Sequence, residues 1–255
     1  MFTRVQPAAP DPILGLTEAY LADPNPDKIN LAVGVFKDAE GKTPVLDSVK
    51  AAERRLVETQ DTKSYLPIDG PPAYADAVQR LMFGADHPDV AGRLGRTSAT
   101  PGGTGALRIA GDYLKHNHPG VTVWVSDPTW ANHHGIFAAA GLPVGKYDYL
   151  DPETNRLDLI GMLDAVRRMR PGDVVVLHGC CHNPTGVDPS PEQWRTLAAA
   201  IAERGLLPLM DFAYQGFGDG LFEDAGGLHA LADACDNFLV CSSFSKNFGL
   251  YRDRC

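Results

Sequence analysis

The chain has 255 residues, with 44% apolar and 22% charged residues, enough to bury the core of one large domain or one domain and part of another. Its formal net charge of −9 argues against nucleic acid or an anionic membrane as the main partner. Glycine (26) and proline (20) stay below the level of low-complexity disorder, and no apolar run approaches a membrane span.

Met1–Pro10 lacks the apolar core of a signal peptide. Five cysteines, with Cys180 and Cys181 adjacent and no CxxC pair, fit neither a disulfide framework nor a zinc site. These features predict a cytoplasmic protein, with Cys180 and Cys181 as ordinary buried thiols. The spacings of His116, His118, His133 and His134 match no common zinc pattern, so no metal is expected.

Residues 1–14 are proline-rich and aperiodic and read as an extended arm. Residues 15–44 carry a short helical stretch, Leu16–Ala22, and the apolar piece Ile29–Val35, too little for a separate core. From 45 onward helical and strand patterns alternate. Asp47 is the expected N-cap of a helix over Ser48–Gln60, and Pro72–Phe83 has helical spacing. Gly103–Lys115 reads as a helix that starts in a glycine-rich turn.

Short apolar runs at Val121–Val125, Val174–Leu177, Leu206–Met210 and Phe238–Cys241 read as strands. The best-marked helix between them is Ser190–Glu203, where Ser190 and Gln193 form a capping-box pattern and Pro191 takes the first helical position. Alternation of this kind predicts an α/β fold, a mostly parallel sheet sandwiched by helices.

Ligands of open α/β sheets bind beyond the carboxyl ends of the strands. Each predicted strand end here carries a polar group: Ser126-Asp127-Pro128-Thr129-Trp130, then His178 through Asn183-Pro184-Thr185-Gly186, Asp211-Phe212-Ala213-Tyr214, and Ser243 to Lys246. Thr100-Pro101-Gly102-Gly103-Thr104-Gly105 opens a helix whose free amides suit a phosphate. The segment lacks the GxxxxGK[ST] pattern of a nucleoside-triphosphate loop. A lysine at a strand end is poorly solvated, which lowers its pKa and frees its lone pair to attack a carbonyl. An amine (Lys246), a carboxylate (Asp211), a phosphate cradle and an aromatic surface together suit pyridoxal 5'-phosphate.

The segments Cys181-His182-Asn183-Pro184-Thr185-Gly186, Asp211-Phe212-Ala213-Tyr214-Gln215-Gly216-Phe217 and Ser243-Phe244-Ser245-Lys246-Asn247-Phe248-Gly249-Leu250-Tyr251 resemble class I aminotransferases. The likeness is to the aspartate and aromatic amino-acid group and runs from Asp11 to Arg254. It implies the large domain of a fold-type I pyridoxal phosphate enzyme over 45–255, with 15–44 a piece of the small domain. Lys246 would carry the internal aldimine and then move the proton. Asp211 would hold the pyridinium, and Asn183 and Tyr214 the phenolic oxygen. Gly103, Thr104, Ser243 and Arg254 would bind the phosphate, with Tyr65 contributed by the partner subunit of a homodimer. Trp130 would stack on the ring, His133 and His178 would support Asp211, and Gly34 would lie near the substrate carboxylate together with Trp130 and Asn183.

The implied reaction moves an amino group from an aromatic or acidic amino acid to a 2-oxo acid. Lys246 and Asp211 also serve lyases on the same cofactor, so β-elimination stays open at this point. Family members continue past the equivalent of Arg254, where this chain has only Cys255. On that likeness the chain is expected to be truncated at its C-terminus, and an inactive cofactor-binding remnant is the second reading. A strand near Arg96–Thr100 and the strand ending at Ser243 would then flank an absent one. Unpaired backbone groups there would cost about 1–3 kcal/mol each.

Overall fold

A computed structural model of the protein describes residues 12–29, 34–85 and 95–255. These residues fall into two compact units, divided between Pro44 and Val45. In the first unit, helix α1 spans Pro12–Ala22. The ammonium of Lys28 donates to the carbonyls of Tyr20 and Asp23, at 2.6 Å each, and closes the chain back onto that helix. The expected arm over 1–14 is thus corrected at its end, because residues 12–14 are helical; its first eleven residues, and Asn30–Val33 of the apolar piece, lie outside the described residues.

The second unit is built on a five-stranded sheet in the order β2-β1-β5-β6-β7. Its strands are β1 (Val123–Asp127), β2 (Val144–Asp148), β5 (Val174–His178), β6 (Leu207–Phe212) and β7 (Leu239–Ser242), and every pairing is parallel. A small antiparallel ribbon, β3 (Leu150–Asp151) with β4 (Arg156–Leu157), stands apart from it. Among the described residues this unit has seven α-helices, three before β1 and four between strands: α2 (Asp47–Thr59), α3 (Pro72–Phe83), α4 (Gly102–Asn117), α5 (Asn132–Ala139), α6 (Leu159–Arg168), α7 (Pro191–Arg204) and α8 (Gly226–Ala234). Among the described residues no helix is long and apolar enough to cross a membrane.

The continuous apolar run of β5 has a physical explanation in the core. Val174 and Val176 pack with Leu107, Leu114 and Phe137 of α4 and α5 on one face. Val175 and Leu177 pack with Met162, Val166, Leu197, Ile201 and Leu228 of α6, α7 and α8 on the other. A strand covered on both faces needs no polar alternation. Helix α7 starts as its sequence requires: Ser190 Oγ accepts from the Gln193 amide at 3.3 Å, and Gln193 Oε1 accepts from the Ser190 amide at 2.7 Å. Gly205, in a left-handed conformation (φ 66°), ends it.

Two expectations are corrected. Asp47 is not the N-cap of α2; Leu46 takes that place without a side-chain cap, and Asp47 lies in the first turn, where its charge favours the helix dipole. Arg96–Thr100 is not a strand. It is held instead by single bonds, the Ala99 amide to the Asp69 carbonyl at 2.9 Å and Gln79 Nε2 to Thr97 Oγ1 at 2.8 Å. Strand geometry needs a neighbouring ladder, and β7 lies across a groove from this segment. Val78, Met82 and Phe83, Arg96–Ser98 and Phe238–Val240 all line it.

Candidate active site

The carboxyl ends of β5, β6 and β7 and the start of α4 converge on one cleft of about 220 Å³. Gly103, Thr104, Trp130, His178, Asn183, Asp211, Tyr214, Ser243, Lys246 and Arg254 all line it. Ten of the residues singled out from sequence are therefore brought together from separate elements. Tyr65, in the same unit, does not line it and is fully exposed (105%), while Gly34 belongs to the first unit. His133 lies behind the cleft, completely buried.

Parallel strands explain the convergence. All of them point one way, so the residues that follow them gather at one edge of the sheet. Asp211 sits on β6 directly opposite His178 of β5. Lys246 follows β7 through a tight turn in which Ser243 Oγ accepts from the Ser245 amide at 3.3 Å.

The helix start is built for close approach. Gly102 has φ 70°, and a β-carbon there would lie 2.8 Å from the Arg254 guanidinium. A β-carbon on Gly103 would lie 3.1 Å from that of Ser243. The positive φ calls for glycine at 102, a side chain at 103 would crowd Ser243, and the free amides of the helix end stay open to an anion. Arg254 is itself in the left-handed region (φ 59°), held by a bond from Nη1 to the Tyr251 carbonyl at 3.1 Å.

Burial lowers the pKa of Lys246, nearby Asp211 pulls it back up, and Arg254 lowers it further. The net downward shift raises the share of uncharged, nucleophilic amine at neutral pH. Its Nζ stands 5.1 Å over the Tyr214 ring. Burial raises the pKa of the Tyr214 phenol, against a bond from Asn183 Nδ2 at 3.5 Å.

Behind Asp211 runs a directed chain of hydrogen bonds. The Asn183 amide donates to His178 Nδ1 at 3.3 Å. Burial, then His182 and His133, push the His178 pKa well below the usual imidazole value, so the ring is neutral and carries its hydrogen on Nε2. That nitrogen donates to Thr129 Oγ1 at 3.2 Å, and Thr129 meets His133 Nδ1 at 2.8 Å. His133 Nε2 then donates to Asp211 Oδ2 at 2.8 Å. Each link points toward the carboxylate. The Trp130 ring meets His133 edge-on at 5.3 Å, which ties the cleft's aromatic wall to the same chain.

Sequence reasoning passed over Thr129, the link of this chain, and Tyr251, Ser245, Ala213 and Cys180, which also line the cleft. All five lie within or beside motifs already singled out. Their membership in a quoted strand-end segment was the available signal, but it could not assign them a role. Cys180 is a buried thiol whose pKa burial drives far up, so it packs rather than reacts.

Buried neutral imidazoles make stability depend on pH. Burial, and then His133, lower the His182 pKa to about 4 from 6.5. The unfolded chain binds the proton first, so this contribution is complete above pH 6.5 and is lost as pH falls toward 4. The loss amounts to about 3 kcal/mol for His182, and His178 acts in the same direction. Denaturant midpoints measured between pH 7 and 4 are expected to fall steadily over that window. A flat profile there contradicts neutral burial.

The comparisons with known proteins agree with this geometry. The profile of aminotransferase classes I and II matches residues 26–255. The aspartate aminotransferase of Salmonella typhi is 53% identical over 254 residues, covering all of this chain and 64% of the relative. The aromatic-amino-acid aminotransferase of Pseudomonas aeruginosa is 53% identical over 253 residues, covering 99% of this chain and 63% of the relative. The crystal structure of an aromatic-amino-acid aminotransferase from Burkholderia pseudomallei, covalently bound to pyridoxal phosphate, superimposes with a TM-score of 0.96 at 46% identity, covering all of this chain and 64% of that one. The chain thus spans just under two thirds of the length of these relatives. It belongs to the class I and II aminotransferase family.

Proposed function

We propose that this chain binds pyridoxal 5'-phosphate and carries the cofactor half of an aminotransferase that moves an amino group from an acidic or aromatic amino acid to a 2-oxo acid. One arrangement carries the reading: the amine of Lys246 and the carboxylate of Asp211 line the same cleft as the open helix start at Gly103 and Thr104. The donor set fits that cofactor. A dianionic phosphate suits the α4 amides, Ser243 and Arg254; a flat ring suits Trp130; a ring nitrogen suits Asp211. When bound, the cofactor supplies an aldehyde and an electron-withdrawing ring that stabilises charge left at the substrate's α-carbon.

The chain's own residues do the rest. Lys246 Nζ attacks the carbonyl and, once displaced by the amino acid, accepts and returns the α-carbon proton. Asp211 holds the proton on the ring nitrogen, with the His133 donor fixing the carboxylate's orientation. Asn183 and Tyr214 hold the phenolic oxygen, and Trp130 and Asn183 belong to the substrate's surroundings. In this reading 45–255 is the large cofactor domain and 15–44 part of the small one. Helix α2 has no buried residue, and exposed Leu56, Val57 and Tyr65 suit contact with a second copy, which would bring its Tyr65 to the phosphate.

The test adds pyridoxal 5'-phosphate to the 255-residue chain, reduces with borohydride and maps the adduct. A single adduct on the Lys246 peptide is expected; absence of one rejects the reading. Amino transfer from aspartate, tyrosine and phenylalanine to 2-oxoglutarate is then assayed. An adduct without transfer restricts the chain to cofactor binding, and elimination products without transfer point to a lyase.

Arg254 gives a separate check on the phosphate end. Arg254→Gln removes a charge-assisted partner, so affinity for pyridoxal 5'-phosphate is expected to fall about 10- to 100-fold. Affinity for unphosphorylated pyridoxal should hardly change. Equal losses for both ligands remove Arg254 from the phosphate site.

A further inference from the structure

Both ring nitrogens of buried His182 are hydrogen-bonded, yet it does not line the cleft. Its ring is 1% exposed. Nε2 meets Ser126 Oγ of β1 at 2.9 Å, and Nδ1 meets Thr185 Oγ1 at 2.8 Å. The ring stacks on Tyr149 at 3.8 Å with 13° between planes, and it packs against His178 at 4.1 Å. The Tyr149 hydroxyl in turn donates to the Val187 carbonyl at 2.7 Å.

The backbone around it is pinned as well. Asp188 accepts from the Cys181 amide at 2.6 Å and from the His182 amide at 2.9 Å. Cys181 is held in the left-handed region (φ 48°), a conformation that a non-glycine residue adopts at a cost. Besides Cys180, this turn brings to the cleft His178, just before it, and Asn183, just after.

We propose that His182 is a positioning residue: pinned between two hydroxyls and packed against Tyr149 and His178, its ring sets where the His178 ring and the Asn183 side chain stand. Two features separate this role from plain core filling. First, the ring ties β1 to the β5 strand end, so it fixes one strand end against the next. Second, its contact with His178 bears on the donor chain that ends at Asp211. A hydrophobic ring of similar shape fills the volume without the hydroxyl bonds that fix the ring's place against His178.

The inference rests on the cofactor reading only for its second readout, since the first needs no cofactor. The full 255-residue chain, labelled with ¹⁵N-histidine, gives imidazole nitrogen signals that report each ring's tautomer. His178 is expected as the Nε2–H form in the unaltered chain. His182→Phe keeps a flat ring and removes both hydroxyl bonds; the single His178 tautomer should be lost, replaced by a mixture. Dissociation constants for pyridoxal 5'-phosphate should rise about tenfold, the scale of one lost buried hydrogen bond. His182→Gln, whose amide reaches one hydroxyl, should bring both readouts most of the way back. If His182→Phe does not fold, Ser126→Ala, which removes one bond and leaves the ring, is expected to shift the His178 signals in the same direction. Unchanged His178 signals in a folded His182→Phe or Ser126→Ala chain overturn the proposal. An unaltered chain that binds no cofactor defeats the cofactor reading instead, and the nitrogen signals still decide the role of His182.

Discussion

Lys246→Ala is expected to abolish covalent capture of pyridoxal 5'-phosphate and to lower amino transfer by about 10⁴-fold or more. Two separate functions are lost at one atom. In the proposed function Nζ is the nucleophile toward the aldehyde, and among the described residues it is also the only lysine amine lining the cleft, hence the base for the α-carbon proton. Burial and Arg254 lower its pKa, so the group removed is one held ready in its uncharged form at neutral pH. Cofactor affinity itself should fall much less, because the α4 amides, Ser243, Arg254 and Trp130 remain. Borohydride reduction followed by mass spectrometry reads the first loss, and equilibrium dialysis reads the second. An alanine variant that still forms a reducible adduct within the cleft, or transfers amino groups at a tenth of the unaltered rate, assigns the chemistry to another residue.

How much of this could be read in advance depends on the kind of signal each element leaves. Val174–Leu177 was readable as a strand because both of its faces are buried, which forces an unbroken apolar run. The helix Pro72–Phe83 has the same ends in the structure, with proline in its first turn and Gly84 (φ 83°) just past its last. Strand β2, Val-Gly-Lys-Tyr-Asp, was missed because it is an edge strand with one covered neighbour and no apolar run. Its glycine is explained only in three dimensions: a β-carbon on Gly145 would lie 2.6 Å from the Trp124 ring. Thr129 left no signal of its own, since its bond to His178 spans 49 residues. The strand expected near Arg96–Thr100 came from family likeness rather than from local pattern, and that segment has no ladder to join here. The cofactor cleft was readable because its residues cluster in short motifs at strand ends, whereas the hydrogen-bond directions behind Asp211 needed coordinates.

Those directions lead to the second large effect. Asp211→Asn is expected to slow exchange of the substrate's α-hydrogen in deuterated water by about 10²–10³-fold, the scale at which one preorganised electrostatic partner is lost. The substitution keeps the size of the side chain, and the asparagine oxygen can still accept from His133 Nε2, so the chain Asn183–His178–Thr129–His133 survives. What disappears, on the proposed function, is the negative charge that would hold a proton on the ring nitrogen. Without it the ring withdraws electrons weakly, and the α-carbon proton becomes far harder for Lys246 to remove. The reducible adduct on Lys246 should persist, since neither the amine nor the phosphate contacts are altered. That separates this variant from Lys246→Ala, which loses the adduct itself. Turning the donor chain around gives the converse case: His133→Phe leaves the carboxylate charge but removes its buried donor and the partner of Thr129 Oγ1, so α-hydrogen exchange should fall by about tenfold rather than a thousandfold. If Asp211→Asn exchanges α-hydrogen within tenfold of the unaltered chain, the carboxylate is not the partner of the ring nitrogen, and His133 would be bracing a structural residue.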